Sequence, residues 1–558
     1  MAEKFIVGNS SDTTADILVD KLIAWKVEAV FTLVGDGINP IFEALRKREA
    51  EIKIITVRHE EAAAFMASGY AKCTGRLGVC LGTNGPGAVH LMNGLYDAAM
   101  EGAPVLAITG SVPHDVSGTQ YIQEVDTVAM LSDIAVFNQM ITGPLHAQVI
   151  VDLACRVALT TPGVAHLTIA TDTQQKKLSD DKRSEKGGHL TGSSAYTPRI
   201  DTAPEAELTR AAELLNKSSK IMILAGRGAV DAKEEVKQVA RQLGAPVAKA
   251  LLGKMLMDDD DEYTTGGIGR LGTLPSKQMM DECEVLLILG STMPYLEYYP
   301  EANKAKAVQV DHDAKRIGLR YPVEIGLHGD VKSTLHTLLH KIEYHSDRSF
   351  LTKSQKRMKD WKEKMQKLEA VTSTPIQPHY LVAQVSKLLD SDAVIAVDTG
   401  AHTVFTARHL KAKSGQQLIV CGNLASMGPG LPYAIAAQLA YPKRQCIAMV
   451  GDGGFTMLMG EVATAVLYKL PVKIIIFKNN ALAMDAFEQE EIGAKQYGIA
   501  LHPIDFVKVA EACGAEGYAC SSPHELPGVL AKAFSSTGPC VIEVEVDKDA
   551  SPSPPEKL

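Results

Sequence analysis

Two short apolar runs in the last quarter of the chain place the strongest constraint on its fold. They occupy residues 446–450 and 472–477, and an amphipathic segment at residues 455–469 joins them. The runs are short and are bounded by Gly and Pro, which is typical of buried parallel strands connected by a crossover helix. Because ligands bind beyond the carboxyl ends of parallel strands, we expect a ligand site where these runs end.

The residues at these two ends have the chemistry of a metal-bridged phosphate site. Asp452 follows the first run within a Gly-Asp-Gly-Gly turn, and Asn479 follows the second run. Carboxylate and amide oxygens suit Mg²⁺, and the backbone N–H groups of Gly453 and Gly454 can approach a phosphate. The alternative is an ordinary strand–turn–helix unit in which Asp452 caps the helix. The paired Asn479 favours a Mg²⁺-bridged diphosphate.

Length and composition limit the class of protein. A chain of 558 residues is too long for one core and predicts about three domains. The net charge of −9 gives no indication of nucleic acid or an anionic membrane surface as a partner. No apolar run has the length of a membrane span, and the first residues lack the apolar core of a signal peptide. Nine scattered cysteines without Cys-x-x-Cys pairs indicate free thiols and a cytoplasmic location.

The spacing of these motifs resembles that of a known family. Gly-Asp-Gly followed about twenty-five residues later by Asn-Asn resembles the thiamine diphosphate motif. The chain resembles the superfamily of pyruvate oxidase, pyruvate dehydrogenase (quinone), acetolactate synthase and pyruvate decarboxylase, with the oxidases closest. The resemblance implies an α/β fold of three doubly wound parallel-sheet domains. These are a pyrimidine-binding domain at 1–185, a central flavin-type domain at 197–345 and a diphosphate- and Mg-binding domain at 372–558. The polar segment 174–196 is predicted to be a linker.

The first third contains the segments that resemble the catalytic half of the family's site. An Arg-His-Glu sequence ends at Glu60, where the family carries its cofactor-activating glutamate, although Glu60 alone could simply favour a helix N-terminus. The Gly-rich segment 82–87 resembles the loop near the reacting centre. Gln123 matches a Phe-Gln-Glu segment and is expected to be catalytic, but Ile122 replaces the Phe that shapes the substrate pocket. An earlier Gly-Asp-Gly at 35–37 is predicted to be only a strand-to-helix turn, because no Asn-Asn follows it.

The middle third has Gly-rich turns that resemble the flavin-binding segments of the oxidase branch. An acidic residue at the position of Asp311 suits the hydroxyls of an adenine ribose. Each Gly-rich turn alone is a weak motif, and acetolactate synthases carry FAD without redox use, whereas decarboxylases keep the same domain empty. The residues expected to contact FAD are Gly226, Gly228, Gly253, Gly290, Asp311 and Asp330.

The last third adds further residues through the resemblance. Met427 matches the large apolar residue that bends the cofactor, and the Ala481 carbonyl would be the third protein ligand of the metal. Glu488 matches an active-site glutamate of pyruvate oxidases, so it is expected to be catalytic. Asp485 replaces an apolar residue that faces the gap between substrate and flavin. A glycine turn that resembles the diphosphate loop contains the candidate cofactor contacts Gly400, Ala401 and His402, of which the histidine could instead be structural.

The resemblance implies oxidative decarboxylation of pyruvate or a close 2-oxo acid, dependent on thiamine diphosphate and Mg²⁺. Electrons would pass to FAD and then to oxygen or a quinone. The alternatives are an acetolactate synthase-like carboligase, a non-oxidative decarboxylase and a member that is not catalytic. The chain lacks the tryptophan that acetolactate synthases carry after Asn480, since Trp25 and Trp361 are its only tryptophans. A homodimer or homotetramer is implied, with active sites at the subunit interface and no membrane helix.

Overall fold

The computed structural model describes residues 9–181, 193–197 and 200–558. These residues contain three six-stranded sheets flanked by helices, and every strand pair within a sheet is parallel. The predicted α/β fold class is therefore confirmed. Each sheet falls within one of the three predicted ranges, while the boundaries of those ranges stay a prediction.

The first sheet has the strand order β2-β1-β3-β4-β6-β5. Its strands are β1 (Ala29–Thr32), β2 (Lys53–Thr56), β3 (Gly78–Gly82), β4 (Val105–Ser111), β5 (Ala135–Ile141) and β6 (Val164–Ala170). The helices of this unit are α1 (Thr14–Ala24), α2 (Asn39–Lys47), α3 (Glu60–Thr74), α4 (Pro86–His90), α5 (Met92–Glu101), α6 (Thr127–Met130), α7 (Pro144–Thr160) and α8 (Thr171–Gln175). Because β2 is an edge strand, one side of its backbone is free to pair with another part of the protein.

The middle sheet has the strand order β12-β11-β10-β7-β8-β9. Its strands are β7 (Ile221–Ala225), β8 (Val247–Lys249), β9 (Thr264–Gly267), β10 (Val285–Leu289), β11 (Lys306–Asp311) and β12 (Ile325–His328). Its helices are α9 (Glu205–Asn216), α10 (Lys233–Leu243), α11 (Leu274–Glu282) and α12 (Val331–Leu338), and a long helix, α13 (Ser349–Glu369), leads to the third unit.

The third sheet has the strand order β14-β13-β15-β16-β18-β17. Its strands are β13 (Val394–Val397), β14 (Gln417–Val420), β15 (Cys446–Gly451), β16 (Lys473–Lys478), β17 (Glu516–Cys520) and β18 (Cys540–Glu545). Its helices are α14 (Pro378–Lys387), α15 (Ala401–His409), α16 (Gly430–Ala440), α17 (Asp452–Leu458), α18 (Val462–Leu467), α19 (Ala483–Glu491), α20 (Phe506–Ala512) and α21 (Leu526–Ser535). The central strands β15 and β16 are almost wholly buried, as expected for a parallel sheet covered on both faces.

The structure corrects two local expectations and confirms a third. The crossover segment predicted at 455–469 is two short helices, and the first begins at Asp452, because glycine is tolerated in a first turn whose N–H groups need no intrahelical partner. The predicted linker at 174–196 lies partly outside the described residues, and its first residue, Gln174, is buried in α8 and donates to the Gly37 carbonyl. The early Gly-Asp-Gly is a short 3-10 turn between β1 and α2, as predicted.

The first and third units share one hydrophobic core. Helix α3 packs on α16, and the rings of Phe65 and Tyr433 meet edge to face with centroids 6.0 Å apart. A buried ion pair reinforces this contact, since Lys72 Nζ lies 2.6 Å from an Asp97 carboxylate oxygen, and the Tyr433 hydroxyl also donates to Asp97. The two sheets are therefore held in a fixed relation within one chain.

Candidate active site

The carboxyl ends of β13, β15 and β16 form a cleft that we call the metal-side cleft. These three strands are neighbours in the sheet, so the loops that follow them lie side by side. The cleft opens to solvent, and its empty volume together with the adjoining solvent is about 560 Å³. All the predicted metal and diphosphate residues line it, namely Gly400, Ala401, His402, Met427, Asp452, Gly453, Gly454, Asn479 and Ala481.

Asp452 is fixed by backbone donors on both of its carboxylate oxygens. Oδ1 accepts from the N–H of Gly453 at 2.8 Å, and Oδ2 accepts from the N–H groups of Asn479 and Asn480 at 3.0 and 2.6 Å. Burial raises the pKa of Asp452, although these donors lower it in part. Oδ1 accepts only one of these bonds and keeps a lone pair that can face a cation, so the carboxylate is preorganised as a ligand.

The loop after β16 is held in a shape that exposes the other two predicted ligands. Asn480 has a positive φ of 55°, and Ala481 forms an isolated antiparallel bridge with Ala500. The Asn479 side-chain oxygen accepts from the Ala481 N–H at 3.0 Å and keeps a second lone pair. The side-chain and backbone oxygens of this loop and the Asp452 carboxylate are the hard oxygen ligands that Mg²⁺ prefers.

Two buried polar atoms at the cleft lack hydrogen-bond partners among the described residues. They are Oδ2 of Asp398 and Nε2 of His402, whose residues are 1% and 6% exposed. Burial raises the pKa of Asp398 to about 7 and lowers the pKa of His402 to about 4. An unpaired buried polar atom costs about 1–3 kcal/mol, and Nε2 of His402, which lines the cleft, is therefore available to a polar ligand. The donor set therefore fits a Mg²⁺-bound diphosphate.

Close backbone approaches explain the glycines of this cleft. A Cβ on Gly454 would lie 2.9 Å from an Asp398 carboxylate oxygen, and a Cβ on Gly451 would lie 3.0 Å from the His402 ring. Gly400 adopts a φ of 150°, in a region that L side chains rarely occupy. The turn predicted to approach a phosphate is thus built from positions that have no room for a side chain.

The charge at the cleft is negative. Asp485 and Asp547 line it together with Asp452, and no lysine or arginine is among the described residues that do so. An anionic ligand therefore needs a cation to bind at this surface, which agrees with a metal-bridged ligand.

A second group of predicted residues forms what we call the glutamate cluster, in the first unit. Glu60 is the first residue of α3 and is 7% exposed, and its Oε2 lies 2.9 Å from His90 Nδ1. Its other oxygen, Oε1, faces the Gly-rich loop, where a Cβ on Gly87 would lie 3.3 Å away. The ring of His90 stacks on that of His59 with centroids 4.4 Å apart.

The stacked histidines argue against a metal in the glutamate cluster. Nitrogen lone pairs lie in the plane of each imidazole ring, and the two ring planes differ by only 26°. Although the ligand atoms of His59, Glu60 and His90 lie within 4.8 Å of one another, the lone pairs of two nearly parallel rings do not converge on one ion. The cluster is therefore better suited to hold and orient the Glu60 carboxyl group.

Gln123 belongs to the same neighbourhood. It has a positive φ of 61°, and a Cβ on Gly85 would lie 2.8 Å from its side chain, so it packs on the Gly-rich loop. The Glu124 carboxylate accepts the N–H groups of Gly118 and Tyr121, which folds this loop into a tight turn. Ile122 is 74% exposed at its tip, where the structure leaves it open to a partner or substrate.

The glutamate cluster and the metal-side cleft are separate groups of residues, and Asn93 links their neighbours by donating to Glu61 and to Ser426. Every described residue that lines the metal-side cleft belongs to the third unit, and neither Glu60 nor Gln123 is among them. Glu488 lies on the exposed surface of α19, one turn beyond Asp485, and it does not line the cleft either. The roles of these residues stay predictions.

The candidate FAD residues follow neighbouring strands at one edge of the middle sheet. Gly226 follows β7, Gly290 follows β10, and a Cβ on Gly226 would lie 2.4 Å from the Gly290 carbonyl. Gly228 and Gly253 belong to the same contact. The close packing of these loops is therefore a sufficient reason for glycine at these positions. Asp311 is buried at the end of β11, where burial raises its pKa, and one of its oxygens accepts the Asp313 N–H. This carboxylate fits ribose hydroxyls.

Asp330 has a different local role. It is the N-cap of α12, and its carboxylate accepts the Ser333 N–H at 2.8 Å. The structure therefore gives a complete local reason for an aspartate at this position. Its predicted contact with FAD stays a prediction.

Three residues near the metal-side cleft and the glutamate cluster were not predicted. Asp398 directly follows β13, so the strand-end rule that found Asp452 could also have found it. His90 and Glu461 gave no such signal, because their contacts join segments that are distant in sequence.

Comparison with known proteins places these features in a family. The chain matches the thiamine pyrophosphate enzyme family models for the N-terminal TPP binding domain at residues 12–130, the central domain at 208–338 and the C-terminal TPP binding domain at 398–544. It is 38% identical over 537 residues to the Bacillus subtilis protein YdaP, whose name assigns it thiamine pyrophosphate; the match covers 96% of the chain and 92% of that protein.

Two named enzymes are also similar over almost the whole chain. Pyruvate oxidase of Lactiplantibacillus plantarum is 30% identical over 545 residues, covering 97% of the chain and 89% of that protein. The acetolactate synthase large subunit of Pyropia yezoensis is 29% identical over 558 residues, covering 97% and 93%.

The chain therefore belongs to the thiamine pyrophosphate enzyme family, in which TPP denotes thiamine diphosphate. Within that class it is a thiamine diphosphate-dependent enzyme with the three-domain α/β fold. No helix in the described part of the chain has both the length and the apolar character needed to cross a membrane.

Proposed function

We propose that the protein catalyses oxidative decarboxylation of pyruvate or a close 2-oxo acid and passes the electrons to FAD. Pyruvate and water would give acetate, CO₂, two protons and two electrons, which reduce FAD; oxygen or a quinone then reoxidises it. The ranges 1–185, 197–345 and 372–558 would bind the pyrimidine, the flavin and the Mg²⁺ diphosphate. When bound, thiamine diphosphate supplies a carbon nucleophile for the keto group and an electron sink for loss of CO₂.

In this proposal the metal-side cleft binds and orients the charged end of the cofactor. Asp452, Asn479 and the Ala481 carbonyl would hold Mg²⁺, and His402 would face a phosphate oxygen. Met427 supplies an apolar wall within the same cleft. The support is the convergence of these residues together with the unpaired Nε2 of His402.

Glu60 would move the proton that activates the cofactor. Its Oε2 lies against His90 and its Oε1 faces the Gly-rich loop, and Oε1 would be the oxygen that reaches the pyrimidine ring. Because the glutamate cluster does not line the cleft of its own chain, we propose that two copies join these halves, as a homodimer or homotetramer. Nine free thiols, eight of them buried, support a cytoplasmic location.

One observation favours oxidation over the other fates of the substrate. Helix α19, which follows the metal-side cleft, touches the middle unit: Arg270 pairs with Glu491, and its guanidinium lies over the Phe487 ring at 5.2 Å. A flavin at the strand ends of the middle unit would therefore lie on the side of α19. This position suits transfer of electrons from the cleft.

The test is spectroscopic. Protein loaded with thiamine diphosphate, Mg²⁺ and FAD is mixed with pyruvate without oxygen, and flavin absorbance is followed. We expect bleaching in the wild type and none in Glu60→Gln, which should still bind flavin. A flavin that stays oxidised in the wild type while pyruvate is consumed would overturn the oxidase proposal.

The second candidate is carboligation of two 2-oxo acids. It is favoured by the similarity to acetolactate synthase large subunits, which is nearly as high as that to pyruvate oxidase. In that case acetolactate would form from pyruvate without any electron acceptor, and the same anaerobic mixture would contain it.

A further inference from the structure

A buried carboxylate of the third unit binds the backbone of the first unit. Glu461 is 1% exposed and ends the 3-10 turn that follows α17. Its Oε1 accepts the N–H groups of Arg58 and His59 at 2.8 and 3.2 Å, and its Oε2 accepts the Thr464 hydroxyl at 2.6 Å.

The two amides lie directly before Glu60. They continue the open side of the edge strand β2, whose last residue, Thr56, donates its N–H to the Tyr468 hydroxyl at 2.7 Å. The side chains of Glu461 and Tyr468, at the two ends of α18, thus accept N–H groups of this edge segment in place of a neighbouring strand. His59, whose N–H donates to Glu461, also contributes its side chain to the glutamate cluster.

The hydrogen bonds of this carboxylate account for a glutamate at a buried position. Burial raises the pKa of Glu461 because it disfavours the ionised form, and hydrogen bonds from Thr464, Arg58 and His59 offset part of this cost. An apolar side chain would fill the same space without that cost, but it would leave two backbone N–H groups unpaired. Charge-assisted bonds are shorter and more directional than neutral ones, so the carboxylate fixes the path of residues 58–59.

We infer that Glu461 is a positioning residue for Glu60. It ties the backbone before Glu60 to the segment that begins at Asp452, so the acid and the metal-side helix of one chain move as a unit. This inference rests on the proposed role of Glu60 in activating the cofactor. Glu461 is buried and is not among the residues that line the cleft.

The first test is amide hydrogen exchange in the protein without cofactor. Glu461→Met should make the amides of Arg58 and His59 exchange at least about tenfold faster, whereas Glu461→Gln, which keeps an acceptor oxygen, should leave them within about threefold. The matched control is Tyr468→Phe, which should affect only Thr56. Unchanged exchange at both amides in Glu461→Met would overturn the inference.

The second test separates positioning from general stability. In protein loaded with Mg²⁺ and thiamine diphosphate, Glu461→Met should lower kcat and the exchange rate of the thiazolium C2 proton together, by about 10- to 100-fold. KM for pyruvate and the Kd of the cofactor should stay within about threefold, Glu461→Gln should restore most of the rate, and Tyr468→Phe should resemble the wild type. Loss of cofactor binding with a normal proton-exchange rate per bound site would contradict the inference.

Glu60→Gln distinguishes the two failures. If Glu60→Gln exchanges the C2 proton as fast as the wild type, the proposed role of Glu60 fails and the inference fails with it. If Glu60→Gln is slow and Glu461→Met is fast, only the positioning role of Glu461 is wrong.

Discussion

The third and middle sheets have the same design but differ at the edge where a ligand would bind. Both are six-stranded and parallel, and in both the candidate residues follow the carboxyl ends of central strands. The third sheet has an open cleft whose lining includes a buried atom that lacks a partner, Nε2 of His402. In the middle sheet the glycine loops pack on one another, and Asp330 already caps a helix. An unpaired buried atom that lines an open cleft is thus stronger evidence for a ligand than glycine-rich turns that pack on one another.

The largest effect is expected from Asp452→Asn. Loss of this carboxylate should abolish stabilisation by Mg²⁺ and thiamine diphosphate and lower kcat/KM by at least about 1,000-fold, because the metal ligand charge is removed. Flavin content should not change, since the middle sheet is untouched. The matched control is Asp36→Asn in the other Gly-Asp-Gly, which should bind Mg²⁺ and thiamine diphosphate normally. Thermal shift measurements with each ligand check both variants.

A smaller effect is expected from Asp311→Asn in the middle sheet. The Kd of FAD should rise by about tenfold, because a charge-assisted hydrogen bond to a ribose hydroxyl is weakened, while the Kd of Mg²⁺ with thiamine diphosphate stays unchanged. Flavin fluorescence titration measures the first and calorimetry the second. Equal flavin affinity in the two proteins would show that Asp311 does not contact FAD.

The pH dependence of folding tests the buried Asp398 carboxyl group, whose Oδ2 lacks a hydrogen-bond partner among the described residues. Burial raises the pKa of Asp398 to about 7, above its usual value of 3.8, so the folded protein without cofactor binds a proton that the unfolded chain has lost. Its contribution to stability is therefore full below about pH 4 and is lost as the pH rises through about 7. At about 1.4 kcal/mol per pKa unit, the loss is at most about 4 kcal/mol.

Asp398→Asn should remove this pH dependence. Urea unfolding of both proteins without cofactor, between pH 5 and 8, compares the slopes. A wild-type curve that runs parallel to that of the variant would mean that the Asp398 carboxylate is already satisfied in the folded protein.

The smallest effect is expected from Tyr433→Phe, which tests the contact between the first and third units. The Asp97 carboxylate would lose one of its donors but keep Lys72, so the free energy of unfolding should fall by about 1–3 kcal/mol. Cofactor affinity should be unchanged, because the site lies elsewhere. Calorimetric melting measures the free energy of unfolding. A change in the Kd of the cofactor would contradict the claim that this contact lies apart from the cofactor site.

Much of this architecture could be predicted from local sequence patterns. The run at 472–477 is strand β16 displaced by one residue at each end, because apolar residues of a buried parallel strand are contiguous. The motif at Asp452 and Asn479 was found because both residues follow strands directly. The helix start at Asp452 was missed, since two glycines argue against a helix by propensity, although the first turn tolerates them.

The contacts that position Glu60 could not be predicted in the same way. Glu461 pairs with amides 402 and 403 residues earlier in the chain, and His90 reaches Glu60 across a loop. Such partners depend on how the first and third units dock, and a single sequence contains no periodic signal for that docking.

Complementation between two inactive variants tests most directly the claim that one active site is built from two copies. Glu60→Gln and Asp452→Asn chains carrying different tags are co-expressed, and the mixed oligomer is purified through both tags. If the halves join between copies, each mixed pair has one intact site, and activity should reach up to about half that of the wild type. Activity no higher than that of either variant alone would contradict a shared site.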